Sequence, residues 1–389
     1  MKIGLVTRKS EAKWGGDLTA LYTFYEGLKE LGQEVIIGKT AEEVLAADFI
    51  FLSNTSLNLN PDFNIVTTHG KRYGIVCFHS DRTRYYSPCH AFANFVGLCL
   101  HQKEIPFYSI EQLVENPNII DPFSFTPSPF FAENLPVLEK AEVCIATSPT
   151  EAATLQRDSA ACQAKVVYLE CGIADSYVTH KTDAFLKWTG LNAGEYVVQV
   201  GRMELRKNQL ASILAMRNLD MPLVFIATES FYPDYEQMCL NAIRKWRKAP
   251  TLLISQHLKN SQEGNLRILQ MPEGKKLSQE MLVSAYQNAG LHLHPAFCEL
   301  PGLTYLEAAK LGVPTVASSW TTVYDYFIDP ASGQYLLDDR IVYTPPYHLG
   351  TITQLITTQF GKKFDKTLDY PIFCRTRADV ARDLLSWIN

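Results

Sequence analysis

Four stretches place charged or reactive side chains at the ends of apolar runs. In "VGRMELRKNQ", residues 200–209, Arg202 follows the run and Lys207 precedes a helical pattern. Two cations beside a helix start suit a phosphate or pyrophosphate; the same spacing also describes a solvated basic loop salt-bridged to Glu204. In "CELPGLTYLE", residues 298–307, Glu299 lies just past "LHLHPAF" and Glu307 falls about one turn into the next helix. Backbone N–H groups of Gly302, Leu303 and Thr304 at that helix start form an anion site. A carboxylate there repels the anion unless it holds hydroxyl groups instead. Sugar hydroxyls fit such a glutamate; two solvated charges are the alternative. In "VCFHSDRTR", residues 76–84, His79 comes directly after a run, with Asp81 two residues on. An imidazole there exchanges a proton, bonds a substrate hydroxyl, or is a structural histidine at a strand end. Gly15 and Gly16 follow the first run and let backbone approach a ligand, without the full G-x-G-x-x-G pattern.

The elements that must position these residues alternate between strand and helix. "KIGLVT" (2–7), "EVIIG", "DFIFLS" (48–53), "YGIVCF" (73–78), "EVCIAT" (142–147) and "VVYLE" (166–170) read as one strand series. "YVVQVG" (196–201), "LVFIAT" (223–228), "LRILQM" (266–271), "LHLHPA" (291–296) and "PTVASS" (314–319) read as a second. Their near-continuous apolar character predicts parallel strands covered on both faces. Helical spacing begins near Asp17 and recurs at 208–217, 233–248, 278–288 and 303–311. Thr40 and Glu43 have capping-box spacing. Pro122, Pro127 and Pro129 predict an irregular region over 82–135. The polar stretch 180–195 is expected to link two doubly wound α/β domains, 1–185 and 186–370, with 371–389 a last helix crossing back to the first. Ligands of such domains bind at the carboxyl ends of the strands, where all four stretches lie.

Composition narrows the class. The chain has 389 residues, which fits two domains. A net charge of −5 argues against nucleic acid as the main partner. The nine cysteines have no C-x-x-C spacing and sit partly in apolar runs, so buried reduced thiols are expected. The opening "MKIGLVTRKS" is too short an apolar run for a signal peptide, and no run of membrane-spanning length follows, so a cytoplasmic location is expected. "IRKWRK" (243–248) is compatible with weak peripheral membrane contact or with a solvated helix face. His292 and His294 face one side of a strand and are expected to pack or hydrogen-bond rather than hold a metal.

Taken together, these loops resemble the retaining glycosyltransferases of family 4, whose fold is GT-B, two doubly wound Rossmann-like domains facing a central cleft. The family's V-G-R followed by a lysine is matched by "VGRMELRKN". Its H/F-P-S-x-x-E-G-F-G-L-P-x-x-E-A-x-x-x-G-x-P-V-V-A is matched by "HPAFCELPGLTYLEAAKLGVPTVAS", with E-x7-E intact. The likeness is strong over about residues 196–320. In the N-terminal half only the Gly15–Gly16 loop, His79 and "TSPTEAATL" (147–155) carry it.

The resemblance implies a nucleotide-diphosphate sugar as donor and co-substrate, with no other cofactor and no metal; the D-x-D motif of metal-dependent enzymes is missing. It implies that Arg202 and Lys207 neutralise the diphosphate, that Glu307 holds the ribose and that Glu299 lies beside the donor sugar. The amides of Gly302, Leu303 and Thr304 would bind the distal phosphate, and His79 would stand near the reacting sugar. Retention would follow from front-side attack, the departing phosphate taking the acceptor proton. The acceptor, a glycan, a lipid-linked or a small molecule, would enter over the N-terminal domain. There Tyr85, Tyr86, Phe107, Tyr108 and Phe130 either stack on it or pack under a long loop. The chain departs from the family where E-G-F-G becomes Glu299-Leu300-Pro301-Gly302. Leu300 does not easily take glycine's positive φ and Pro301 offers no N–H, which implies a shifted sugar pocket or an unusual sugar. A sugar phosphorylase, a sucrose-synthase-like enzyme and a non-catalytic nucleotide-sugar binder are the alternatives.

Overall fold

The two strand series close into two separate sheets. The computed structural model describes residues 1–7, 15–101, 109–120, 128, 132–160, 165–173, 181–228, 232–272, 277–328, 332–365 and 370–388. The first sheet holds β1 (Lys2–Val6), β2 (Glu34–Gly38), β3 (Phe49–Ser53), β4 (Arg72–Val76), β5 (Cys144–Ala146) and β6 (Val166–Tyr168), in the order β2-β1-β3-β4-β5-β6 and parallel throughout. The second holds β7 (Val197–Val200), β8 (Leu223–Ala227), β9 (Thr251–Ser255), β10 (Ser261–Glu263), β11 (Leu266–Gln270), β12 (Leu291–His294), β13 (Thr315–Ser318) and β14 (Ile341–Thr344). Its order is β10-β11-β9-β8-β7-β12-β13-β14, and only β10 runs antiparallel to its neighbour. β9, β10 and β14 go beyond the strands the apolar runs mark. Every residue of β3, β8 and β9 is buried, as sheets covered on both faces require.

Strand order decides where a ligand fits. In the first sheet the order reverses between β1 and β3, and in the second between β7 and β12. At such a switch point the following loops diverge and leave a crevice beyond the carboxyl ends of the strands. The loops after β1 and β3 bring Gly16 and Asn54 there; those after β7 and β12 bring Arg202, Lys207 and Glu299.

The region 82–135 is less irregular than its prolines suggest. Arg82–His101 is a 20-residue helix that contains Pro88. Proline within a helix removes one backbone hydrogen bond and costs about 3 kcal/mol. Burial of Cys89, Phe92, Phe95, Val96 and Cys99 along one stripe offsets that cost. The stripe packs with Met203, Leu214, Phe225 and Phe297 in one apolar cluster, so a helix from the first half of the chain is built into the core beside the second sheet. Lys245 donates to the Cys99 carbonyl at the helix end, 2.7 Å away. Phe107, Tyr108 and Phe130, offered for acceptor stacking, lie outside the described residues.

Two further expectations are corrected. Thr40 and Glu43 form no capping box: Glu42–Val44 is a single 3-10 turn, and the Glu43 carboxylate accepts from the Lys39 amide. Within the expected linker 180–195, Ala184–Thr189 is a helix whose fully buried Phe185 packs with Tyr196 and Val198. Cations of "IRKWRK" also serve the fold. Arg247 is buried and bonds the carbonyls of Leu219 and Met221, Lys245 is held by Cys99, and Arg244 pairs with Glu263 at 2.9 Å. No helix among the described residues is long and apolar enough to cross a membrane. Seven of the eight described cysteines are buried, and Cys374 is exposed.

The helix Arg377–Ser386 lies against Gly16–Glu30, the helix that carries Gly16 into the crevice. A Cβ at Gly27 would stand 2.2 Å from the Arg377 carbonyl, so only glycine permits this approach. Arg377 reaches Glu30 at 2.5 Å, and Thr376 and Asp379 close a capping box. Thr376→Ala is expected to lower stability by about 1 kcal/mol, read from the urea midpoint. No loss would mean that the cap contributes nothing to docking.

Candidate active site

The loop after β7 is shaped by buried amides rather than by its charges. Gln199 donates to the Lys207 carbonyl at 2.9 Å and Gln209 to the Arg202 carbonyl at 2.8 Å. Asn208 takes a left-handed conformation, φ 59°, and its amide bonds the carbonyls of Pro295 (2.8 Å) and Pro346 (2.7 Å). The Phe297 amide donates to the Arg206 carbonyl at 2.7 Å. These bonds tie the loop after β7 to the loop after β12, and thereby set Lys207 against Glu299.

The result is a buried charge cluster. Lys207 bonds Glu299 directly; Arg206 stands 3.6 Å and His294 3.7 Å from the same carboxylate oxygen. Glu204 accepts from Arg206 at 2.8 Å and from Arg202 at 3.4 Å. Burial alone would raise the Glu299 carboxyl, but Lys207 and Arg206 hold it well below the ordinary carboxylate range. Burial pushes the Lys207 ammonium down while Glu299 opposes. Burial would raise Glu204 too, yet Arg206, Arg202 and Lys207 bring it down. With His294 neutral, three cations face two carboxylates, and the surplus charge favours an anion. Arg206 was missed by sequence reasoning, although the run "RMELRK" carries three cations.

The cluster opens on a cavity of about 320 Å³ between the two sheets' switch points, within the size range of small-molecule sites. Arg202, Arg206, Lys207 and Glu299 line one side; Gly16, Asp17, Asn54 and Ser56 line the other. Tyr85 and Tyr86 also line it, whereas Phe92 and Phe95 of the same helix are buried in the core. Cys298 is at the wall, where burial pushes its thiol up to about 12, so it is neutral. Gly15 serves as the N-cap of its helix and leaves the wall to Gly16, where a Cβ would be 3.8 Å from the Leu300 carbonyl.

The turn Leu300–Pro301–Gly302 explains how the chain departs from E-G-F-G. The Leu300–Pro301 peptide is cis, and the positive φ, 79°, falls on Gly302 instead of Leu300. A Cβ there would also meet Val323 at 2.3 Å, so glycine is required twice over. Gly302 is the N-cap of Leu303–Lys310. The Tyr326 hydroxyl is 3.1 Å from the Pro301 carbonyl and 2.8 Å from that of Thr147 in the first domain, which fixes the turn between the domains. Gly302, Leu303, Thr304 and Glu307 are not among the residues lining the cavity. Glu307 is buried on the second turn of its helix.

His79 is placed differently from the other candidates. It is buried; Thr55 Oγ1 is 2.9 Å from its Nδ1, and Asp158 Oδ2 is 2.9 Å from its Nε2. Burial lowers its pKa, with Asp158 opposing. Neutral, it donates from Nε2 to the carboxylate and accepts at Nδ1 from the threonine. Both nitrogens therefore serve the protein, and a direct proton exchange with a substrate does not follow from this geometry. Beside it Glu151 accepts from the His79 and Thr147 amides at 2.7 Å each, and burial nonetheless raises its carboxyl to about 7.

The sequence matches no family model and no curated protein. Solved structures do match it, three of them along nearly their whole length. The sucrose-phosphate synthase of Thermosynechococcus elongatus is 15% identical over 99% of this chain and 94% of its own, with a TM-score of 0.60. Anabaena HepE, solved with UDP and glucose, is 14% identical over 100% and 99%, with a TM-score of 0.59. A lipopolysaccharide outer core galactosyltransferase, WaaB, is 11% identical over 100% and 99%, with a TM-score of 0.53. The fold is GT-B. The cation cluster and the cavity lie in the cleft between the two Rossmann-like domains. Thr150 adds a direct tie across the GT-B cleft, its amide donating to Asp325 at 2.8 Å.

Proposed function

We propose that this chain transfers a sugar from a nucleotide-diphosphate sugar to a hydroxyl acceptor, with retention of anomeric configuration and without a metal ion. One observation carries the reading: Arg202, Arg206 and Lys207 converge with Glu299 at the switch point of the second sheet, facing the switch-point loops of the first across one cavity. The spacing of Glu299 and Glu307, the family-4 likeness and the UDP and glucose named for HepE support it.

A departing nucleoside diphosphate gathers negative charge on its bridging oxygen. Cations preset in a buried cleft stabilise that charge without reorganising, usually the largest single contribution to such catalysis. Arg202 and Lys207 hold the diphosphate in this reading, with Arg206 reinforcing them, and the helix-start amides of Gly302–Thr304 take the distal phosphate. Glu299 bonds sugar hydroxyls and Glu307 the ribose. Gly16 lets backbone close over the phosphates. The departing phosphate takes the acceptor proton during front-side attack, and His79 acts by holding Thr55 and Asp158 in place. Leu300, whose carbonyl would stand 3.8 Å from a Cβ on Gly16, bounds the sugar pocket beside Glu299.

The test is a thermal-shift screen with UDP-, GDP-, ADP- and dTDP-sugars. A donor at a hundred times its Kd stabilises the native state by about 2.7 kcal/mol. One nucleotide class is expected to raise the midpoint, and turnover with it to survive a chelator. If no nucleotide sugar shifts the midpoint, the reading fails.

A further inference from the structure

The imidazole of His294 is fully buried at the end of β12, and neither ring nitrogen has a hydrogen-bond partner. A buried polar group left in this way is unfavourable unless another state of the protein uses it. Its surroundings are known from every side. Glu299 Oε2 lies 3.7 Å from Nε2; Lys207 and Arg206, from the loop after β7, share that carboxylate. His292 on the same strand is 5.9 Å away, ring to ring. Tyr305, from the helix Leu303–Lys310, presents a ring edge at 5.2 Å, but its hydroxyl is spent on the His294 carbonyl. A Cβ on Gly201 would be 3.4 Å from His294 Cε1, so the imidazole underlies the start of the cation loop.

The nucleotide-sugar reading demands two things of Lys207. It must neutralise a phosphate, and in the free protein it neutralises Glu299. When it turns to the phosphate, Glu299 remains buried without its closest cation, and breaking a buried pair is strongly unfavourable. Arg206 is already engaged by Glu204 at 2.8 Å. His294 is the neighbour that gains a charge simply by binding a proton.

We infer that His294 is a positioning residue that takes over Glu299 when Lys207 engages a diphosphate, and that it does so as imidazolium. The inference rests on the nucleotide-sugar reading. The step is one proton, moving from solvent to a ring nitrogen of His294, with no covalent bond changed. In the free protein burial keeps the imidazole below its ordinary value although Glu299 opposes, with Lys207 and Arg206 adding to the effect. Binding brings in phosphate charge and withdraws Lys207, and both changes favour the cation. Donor binding therefore takes up a proton, and affinity rises as pH falls from 8 to 6, by up to about tenfold per pH unit for one full proton.

Calorimetry tests this with the tightest binder among UDP-, GDP-, ADP- and dTDP-glucose. Their diphosphates are esterified at both ends and already fully ionised, so they exchange no proton near neutral pH. Titrations run in Tris and in PIPES, whose ionisation heats differ widely. The native protein is expected to give different heats in the two buffers. His294→Gln can still donate to Glu299 but cannot charge, so it should give equal heats and a flat pH dependence of Kd. Glu299→Gln, with His294 intact, should also lose the proton uptake. Equal heats in the native protein, or buffer-dependent heats retained in His294→Gln, overturn the inference and leave the nucleotide-sugar reading standing. Absence of binding by all four sugars overturns both.

Discussion

Lys207→Ala is expected to lower sugar-transfer turnover at least about a hundredfold, the usual effect of removing one preset group that stabilises transition-state charge. The residue is not interchangeable with its neighbours. Gln199 holds the Lys207 carbonyl and the next residue, Asn208, is tied to Pro295, so the ammonium projects from a fixed point. No other side chain of the loop comes as close to Glu299, since Arg206 stands at 3.6 Å. Arg202→Ala is expected to lose a similar factor, because Arg202 lines the same wall. Each variant's rate is divided by its folded fraction, measured by circular dichroism, since Lys207→Ala also leaves Glu299 with weaker partners. Near-native rates in both would remove the diphosphate assignment.

The second large effect concerns stability. Glu299→Ala is expected to destabilise the free protein by about 3–5 kcal/mol, because it strands Lys207 in a buried site beside Arg206. The pH dependence follows from the depressed Glu299 carboxyl. Its folded-state pKa lies below the unfolded one, so the stability it supplies is complete above the unfolded value of about 4.3 and is lost as pH falls. Urea midpoints of the native protein should therefore fall on acidification below that value. The difference between native protein and variant should narrow over the same range. A variant as stable as the native protein at pH 7 would show that the pair contributes nothing, which is the outcome sometimes found for buried ion pairs replaced as a whole.

Much of this could be read one residue at a time. The apolar runs mark most of the strands because burial on both faces leaves no alternation. Arg202, Lys207, Glu299 and Gly302 stand at strand or helix ends, where local punctuation by glycine and proline gives them away. The helix Arg82–His101 was hidden by its own local signal. Pro88 argues against a helix, and the stripe from Cys89 to Cys99 outweighs it only when packed against Met203 and Phe297. His79 looks reactive in sequence because it ends a strand. Whether its nitrogens meet a ligand or Thr55 and Asp158 depends on residues 24 and 79 positions away.

The kinds of element, their order and the charged residues of the loops are all legible locally. Those properties depend on near neighbours along the chain, through propensity, periodicity and turn chemistry. Tertiary packing sets β7 beside β12, which brings Lys207 onto a carboxylate 92 residues away. It alone placed Arg206 and Glu204 in the same cluster, buried His294 beneath it, and carried a helix of the first half into the core of the second. Strand order and domain packing are set by the burial of whole faces at once, and no local spacing encodes which distant charges they force together.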